Sequence, residues 1–181
     1  MKIRAITVVS VVIMVRACDS VSHAPTGQSS APSQYGIVKS EFISQNPSVP
    51  FNHASTIAET RAGLISAWYG GMNEGNPQVV VWVSRCEGGR WSEPLQVADG
   101  IQADGRTRYA CWNPVLFQVK DGPLLLFYKV GPGASNWWGM LMTSNDNGLN
   151  WSLPRRLPNG YIGPVRNKPV QLQDGSLLCG S

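Results

Sequence analysis

The sequence predicts an all-β protein made of repeated four-stranded units. From position 35 onward, short runs rich in β-branched and aromatic residues alternate with turn residues, and no helical periodicity is visible. The pattern SRCEGGRW, which begins at Ser84, returns as SNDNGLNW at Ser144, a spacing of 60 residues. A repeat of about 50–60 residues that carries four strands is typical of the blades of a β-propeller.

The first unit is predicted over about residues 50–105. Turn residues at 61–63 and at 87–89 divide its apolar runs. The four predicted strands are HASTIAE (53–59), LISAWYGG (64–71), VVVWVS (79–84) and RWSEPLQVA (90–98).

The second unit is predicted over about residues 106–160, with turns at 120–122 and 145–148. Its four predicted strands are PVLFQV (114–119), PLLLFYKVG (123–131), WWGMLMTS (137–144) and NWSLPRRL (150–157). A third unit begins at about residue 163, because the Asp121-Gly122 turn recurs 53 residues later as Asp174-Gly175.

The N-terminus is predicted to be a targeting segment. Lys2 and Arg4 precede an apolar run at 5–15, which is too short to span a bilayer and is typical of a signal peptide over 1–18. The run ends in Val-Arg-Ala-Cys, which resembles a bacterial lipobox with Cys18 as the lipidated residue. Plain secretion and lipid anchoring both remain open. Residues 19–34 are rich in Ser, Pro, Ala and Gly, which predicts a flexible linker.

Composition argues against several function classes. The net charge is only +4 and the basic residues are scattered, so no nucleic-acid footprint is expected. No C-x-x-C occurs, so we expect no zinc site, and we expect no cofactor. The only membrane contact expected is through a lipid on Cys18. Seven Trp residues are many for 181 residues, and they could serve as core anchors or as platforms for sugar rings.

The SNDNGLNW pattern resembles the Asp-box of the BNR repeats found in sialidases. It is complete at four positions, Ser144, Asp146, Gly148 and Trp151, whereas its echo at Ser84 has Cys in place of Asp. Asp side chains bind backbone N–H groups in turns and Gly takes a positive φ, so a structural hairpin is expected. A calcium loop is disfavoured because the stretch offers one carboxylate, and we expect no metal.

The resemblance covers about residues 35–181 and extends beyond the box. It is carried by FNHASTIAE (51–59), AWYGGMNEG (67–75), CWNPVLFQ (111–118), GPLLLFYKVGP (122–132), GPVRNKPV (163–170) and DGSLLCGS (174–181). It implies a six-bladed propeller of about 330–360 residues. We therefore expect this chain to be an N-terminal piece holding two blades and the start of a third.

The resemblance also suggests where chemistry would lie. Sialidases use an Arg triad for the substrate carboxylate, a Tyr–Glu nucleophile and an Asp acid/base. The first Arg belongs to an Arg-Ile-Pro motif on the first inner strand, and His53 stands at that place here. Glu74 follows the Tyr69-Gly70-Gly71 turn, near the place of the acid/base residue. His53 and Glu74 are therefore the candidate catalytic residues, and the nucleophile is expected beyond Ser181.

Four further residues are candidate substrate-binding groups. Arg108 precedes the second inner strand, where a guanidinium could bind a carboxylate in bidentate fashion. Lys129 and Lys168 lie in apolar surroundings near the predicted ends of inner strands and could bind a substrate carboxylate in a similar way. Trp137 could stack on a sugar, although one of the adjacent pair Trp137 and Trp138 is expected in the core.

Two functions follow from the resemblance. The first is an exported, sialidase-like glycoside hydrolase, periplasmic or on the cell surface, acting on terminal sugars of glycans, acidic ones among them. The second is a non-catalytic propeller that binds the same glycans. A purely structural surface lipoprotein is a third reading.

Overall fold

The computed structural model describes residues 39–44 and 49–180, and the described residues contain strands but no helix. The signal peptide, Cys18 and the linker lie outside these residues. Among the described residues, no helix is long and apolar enough to cross a membrane. Residues 39–42 belong to a separate unit, in which Lys39 Nζ lies 2.7 Å from Glu41 Oε2. Everything below concerns the unit that contains residues 43–180.

The first sheet is antiparallel throughout. Its strands are β1 (Phe51–Thr60), β2 (Gly63–Gly71), β3 (Val80–Glu87), β4 (Arg90–Trp91) and β5 (Leu95–Ala98). The order is β1-β2-β3-β4, and β5 also pairs with β3. The predicted strand 90–98 is therefore interrupted at residues 92–94. Pro94 has no backbone N–H to donate. Ser92 N donates to the Arg85 carbonyl at 2.8 Å, whereas Arg85 N donates to Ser92 Oγ at 3.1 Å and not to a backbone carbonyl.

The second sheet repeats this arrangement in the order β6-β7-β8-β9. Its strands are β6 (Ala110–Gln118), β7 (Leu124–Gly131), β8 (Trp138–Ser144) and β9 (Arg155–Arg156). The outermost strand was predicted over 150–157 but only two residues of it pair. A third, two-stranded sheet joins β10 (Val170–Gln171) to β11 (Leu177–Leu178). The described part of the chain is all-β. Its sheets resemble propeller blades, and they do not close into a ring.

Strand β7 lies at the centre of the core, and all eight of its residues are buried. Alternate side chains, including Leu126 and Tyr128, pack with Ile65 of the first sheet, whereas Leu125 and Phe127 face the opposite way, toward Leu177. A strand buried on both faces is expected to be almost entirely apolar, and Lys129 is the one charged residue of β7. The two sheets are also joined directly, because Leu116 N donates to Thr56 Oγ1 at 3.3 Å.

The hairpin between β8 and β9 is closed by the predicted Asp-box. Asp146 accepts from Ser144 Oγ at 2.8 Å and from Asn150 N at 2.8 Å, and Gly148 N donates to Ser144 Oγ at 2.8 Å. The Asn150 amide groups, followed by the Ser144 hydroxyl, lower the pKa of Asp146 to about 2. Gly148 has φ +84°, and a Cβ there would overlap Ile65 Cδ1 of the first sheet. The box therefore stabilises both its own hairpin and the packing between sheets.

The degenerate box in the first sheet folds differently. Strand β3 continues to Glu87, and Cys86 pairs with Trp91 across a two-residue turn. Both turn residues, Gly88 (φ 57°) and Gly89 (φ 78°), have positive φ, which suits the tight turn of a regular hairpin. Because the Cys86 thiol is a weak acceptor, the side-chain cage of the complete box is not built. The two boxes are therefore equally spaced in the sequence but differ in their strand pairing.

Candidate functional site

The candidate site lies at the end of the first sheet where β1 begins. His53 of β1 is in register with Tyr69 of β2, and Glu74 follows in the loop between β2 and β3. The complete Asp-box lies where β8 ends, at the same end as the β1–β2 and β6–β7 turns. The antiparallel pairing therefore places the box at the end of the sheets opposite His53, away from the candidate site.

Tyr69 joins the two predicted catalytic residues. Its hydroxyl lies 2.8 Å from His53 Nδ1 and donates to Glu74 Oε1 at 2.9 Å, and His53 Nδ1 lies 3.7 Å from Glu74 Oε1. The side chains of His53 and Glu74 are 55% and 53% exposed, whereas Tyr69 is only 1% exposed. Burial, then the Glu74 hydrogen bond and charge, raise the pKa of Tyr69 well above its usual value. The two accessible groups thus share one buried phenol.

A row of aromatic rings extends from this trio across both sheets. Tyr69 and Trp112 have ring centroids 5.8 Å apart, and Trp112 and Trp137 are 5.9 Å apart. Phe51 lies 6.0 Å from both His53 and Tyr69. Trp112 is fixed by a 2.9 Å hydrogen bond from Nε1 to the Gly131 carbonyl. Trp137 is half-buried at the far end of this row, so the structure connects it to the trio through Trp112.

A cleft of about 320 Å³ opens where the inner strands begin. Its lining residues come from β1, from β6 and from the segment before β10: His53, Ala54, Ser55, Asn113, Pro114, Val165 and Arg166. Both inner strands bulge here, because their pairing registers skip Ala54-Ser55 and Asn113-Pro114. Ala54 (φ 50°) and Asn113 (φ 38°) have left-handed backbones, and strain of this kind clusters at functional sites.

The structure places Lys129 inside the protein. It lies on β7, the second strand of its sheet, where it pairs with Trp112 of the inner strand β6. Its side chain is fully buried, and Nζ donates to the carbonyls of Pro164 and, at 3.4 Å, Asn113. Burial lowers the pKa of Lys129 to about 7. The amine is turned toward backbone carbonyls beneath the cleft, so the structure leaves it no open face for a ligand.

Lys168 lies just before β10, and its amine reaches both inner strands. Nζ donates to the Ile57 carbonyl of β1 and, at 2.8 Å, to the Leu116 carbonyl of β6. Burial lowers the pKa of Lys168. These bonds tie the segment before β10 to both sheets. The substrate-binding role predicted for this residue would require the amine to leave them.

Arg108 lies in the loop before β6 and bridges to Ile101. Its Nε is buried without a hydrogen-bond partner. No hydrogen bond or ion pair within 49–180 joins Arg108 to His53 or Glu74. The structure therefore brings His53, Glu74 and, through the aromatic row, Trp137 together, and it leaves Arg108 apart.

The described residues include no cluster of three or more His, Cys, Asp or Glu side chains able to hold a metal ion. The three cysteines in this part of the chain, Cys86, Cys111 and Cys179, are free. Cys111 is fully buried, and burial raises the pKa of its thiol.

Sequence reasoning missed two residues of this site. Tyr69 was placed in a predicted strand and in the turn before Glu74 but was given no role in the site, although its position five residues before Glu74 and directly before two glycines is a local signal. Arg166 lines the cleft from a segment whose path the sequence alone could not give.

Comparison with known proteins identifies the repeat and leaves the activity open. A family described as "BNR repeat-like domain" matches residues 62–181, and no curated protein matches. A solved structure, the crystal structure of a protein of unknown function from Dyadobacter fermentans DSM 18053, is similar with a TM-score of 0.51 and 17% identity. The match covers 68% of this chain and 44% of that chain. This likeness supports the fold alone.

Proposed function

Because the chain belongs to the family of BNR repeat-like domains, the sialidase-type repeats, we propose that it is part of an exported glycoside hydrolase that acts on terminal sugars of glycans, acidic ones among them. The two sheets would be two of the blades of a six-bladed propeller. The cleft beside His53 would then lie near the propeller axis, where inner strands line the pocket.

The observation that carries this proposal is the trio of His53, Tyr69 and Glu74 beside the cleft. An imidazole and a carboxylate are both able to exchange protons with a glycosidic oxygen. Here they are half-exposed and linked through one buried hydroxyl. The neighbouring aromatic row offers apolar ring surface of the kind that sugars stack on.

The charge of the cleft favours an acidic sugar. Arg166 is the one permanently charged side chain among the lining residues, and no carboxylate lines the cleft. No ion pair within 49–180 involves Arg166, so its guanidinium is available to a ligand carboxylate.

A carbohydrate-binding propeller without catalysis is the second candidate. Most glycoside hydrolases use two carboxyl groups at the reacting centre, and the trio contains one carboxylate, Glu74. A site that binds but does not cleave would need only the cleft and the aromatic row.

Turnover of fluorogenic glycosides separates these functions. The full chain and the longest available form of the protein would be assayed with sialosides, glucuronides and neutral glycosides. We expect hydrolysis of an acidic substrate, and we expect His53→Ala to lower it by at least about 100-fold, as for loss of a general acid or base. Asn145→Ala, at the opposite end of the sheets, is the matched control. Retained glycan binding with no turnover on any substrate would favour the binding protein.

We also propose that the protein is exported and that a lipid on Cys18 anchors it to a membrane. Labelling with radioactive palmitate in an expressing bacterium tests this. Label is expected on the wild type and on Cys179→Ala, and it should disappear from Cys18→Ala. An unlabelled wild type would leave plain secretion as the route.

A further inference from the structure

The Tyr69 hydroxyl has one proton and two polar neighbours. Its oxygen lies 2.9 Å from Glu74 Oε1 and 2.8 Å from His53 Nδ1. An ionised carboxylate can only accept hydrogen bonds, so the phenolic proton points to Glu74. The contact with His53 is then a hydrogen bond in the other direction, from Nδ1–H to the Tyr69 oxygen.

This assignment determines where the imidazole exchanges its proton. A neutral imidazole carries hydrogen on one nitrogen, and the Tyr69 contact requires that nitrogen to be Nδ1. No hydrogen-bond partner of His53 Nε2 occurs within the described range 49–180. His53 lines the cleft, so Nε2 is the ring atom that is free to meet a ligand.

The phenol is held firmly enough to impose this choice. Tyr69 is 1% exposed and packs with Val79 and Ala110. The His53 ring meets it edge-on, with centroids 5.6 Å apart and an interplanar angle of 72°. Burial raises the pKa of Tyr69, so the phenol keeps its proton and donates it in a hydrogen bond to Glu74. The acceptor Glu74, in contrast, is on an exposed loop.

We propose that Tyr69 is a positioning residue. The Tyr69 hydroxyl donates a hydrogen bond to Glu74, so its oxygen accepts one from His53 and holds the ring in the Nδ1–H tautomer. Nε2 is then the atom that exchanges a proton with a ligand in the cleft. Glu74 then orients the site and does not itself protonate a substrate. The exchange with a glycoside depends on the proposed hydrolysis, whereas the tautomer does not.

The chemical shifts of the ring nitrogens, measured by NMR on the full chain, test the tautomer. The chain has two histidines, so a His23→Ala variant assigns the signals of His53. Above the pH at which the ring becomes neutral, we expect Nδ1 protonated and Nε2 unprotonated. Tyr69→Phe removes only the hydroxyl, and the ring should move toward the Nε2–H form that a solvent-exposed histidine side chain favours.

Glu74→Ala tests the His53 tautomer more sharply, because Glu74 is exposed and its replacement leaves the core intact. Without its acceptor, the phenolic proton can turn to His53 Nδ1, and the tautomer should invert to Nε2–H. Glu93→Ala, another exposed glutamate, is the matched control and should leave the wild-type tautomer unchanged.

Two results would overturn the proposal: an Nε2–H tautomer in the wild type, or an Nδ1–H tautomer that survives in Glu74→Ala. If the chain hydrolyses no glycoside but the tautomer changes as expected in both Tyr69→Phe and Glu74→Ala, the positioning role of Tyr69 is supported and only the proposed hydrolysis fails. The two ideas can therefore fail separately.

Discussion

At the scale of single residues, the structure shows what the amines of two candidate lysines bind. Lys129 and Lys168 were both candidate substrate ligands, and both donate instead to backbone carbonyls that lie near the inner strands. The sequence placed Lys129 in an apolar run but could not tell which carbonyls would meet its amine. Those partners, at Asn113 and Pro164, are 16 and 35 residues away along the chain.

The buried amine of Lys129 makes folding stability depend on pH. Its pKa is about 7 in the folded protein because of burial, against about 10.4 when exposed. Between these values only the unfolded chain carries the extra proton, so stability should rise with pH, with a slope of up to about 1.4 kcal/mol per pH unit. Below about pH 7 this dependence should vanish.

Urea denaturation of the wild type and Lys129→Met from pH 6 to pH 10 checks this. The difference in unfolding free energy between the two proteins isolates the Lys129 contribution from other titrating groups. A difference that stays constant across this range would show that the amine is not desolvated in the folded state.

At the scale of strands, the second strand of each sheet was predicted closely, whereas the inner strand β6 begins four residues before its predicted start and the outer strands are largely unpaired. Strands β2, β7 and β8 lie within one residue of their predicted bounds because burial imposes continuous apolar runs. The outer strands carry polar residues and Pro94 or Pro154, so their pairing depends on local hydrogen bonds that no periodicity reveals. The bulges at Ala54 and Asn113 were also not predicted, because Ala gives no signal of a positive φ and Asn gives a weaker one than Gly.

The bulge in β1 predicts an unusual stabilising substitution. An Ala in a left-handed conformation costs roughly 1–2 kcal/mol, whereas the greater freedom of Gly in the unfolded chain costs about 0.4–1 kcal/mol. Ala54→Gly should therefore stabilise the protein by about 0.5–1 kcal/mol, measured by chemical denaturation.

Ala58→Gly is the matched control on the same strand. Ala58 is buried and lies within the paired part of β1, so the change should destabilise by about 0.5–1 kcal/mol. Equal destabilisation by both substitutions would show that Ala54 is not strained.

At the scale of the whole molecule, the Asp-box and the candidate site lie at opposite ends of the two sheets. One end holds the Asp-box, which stabilises the hairpin and packs on Ile65. The other end gathers the trio, the aromatic row and the cleft. The repeat spacing and the motif were enough to predict the all-β, four-stranded sheets, whereas His53 and Glu74 were proposed from the family resemblance. The sequence could not show that Tyr69 joins them, since that contact depends on strand register.

Ligand binding at His53 tests most directly whether the ligand site lies at the His53 end of the sheets and not at the Asp-box end. The full chain would be titrated with glycosides of acidic and neutral sugars while the His53 ring signals are followed by NMR. We predict that an acidic glycoside shifts the Nε2 signal, and that His53→Ala weakens binding at least tenfold, or about 1.4 kcal/mol. Asp146→Asn should leave affinity unchanged. Weakened binding in Asp146→Asn with unchanged binding in His53→Ala would contradict the account.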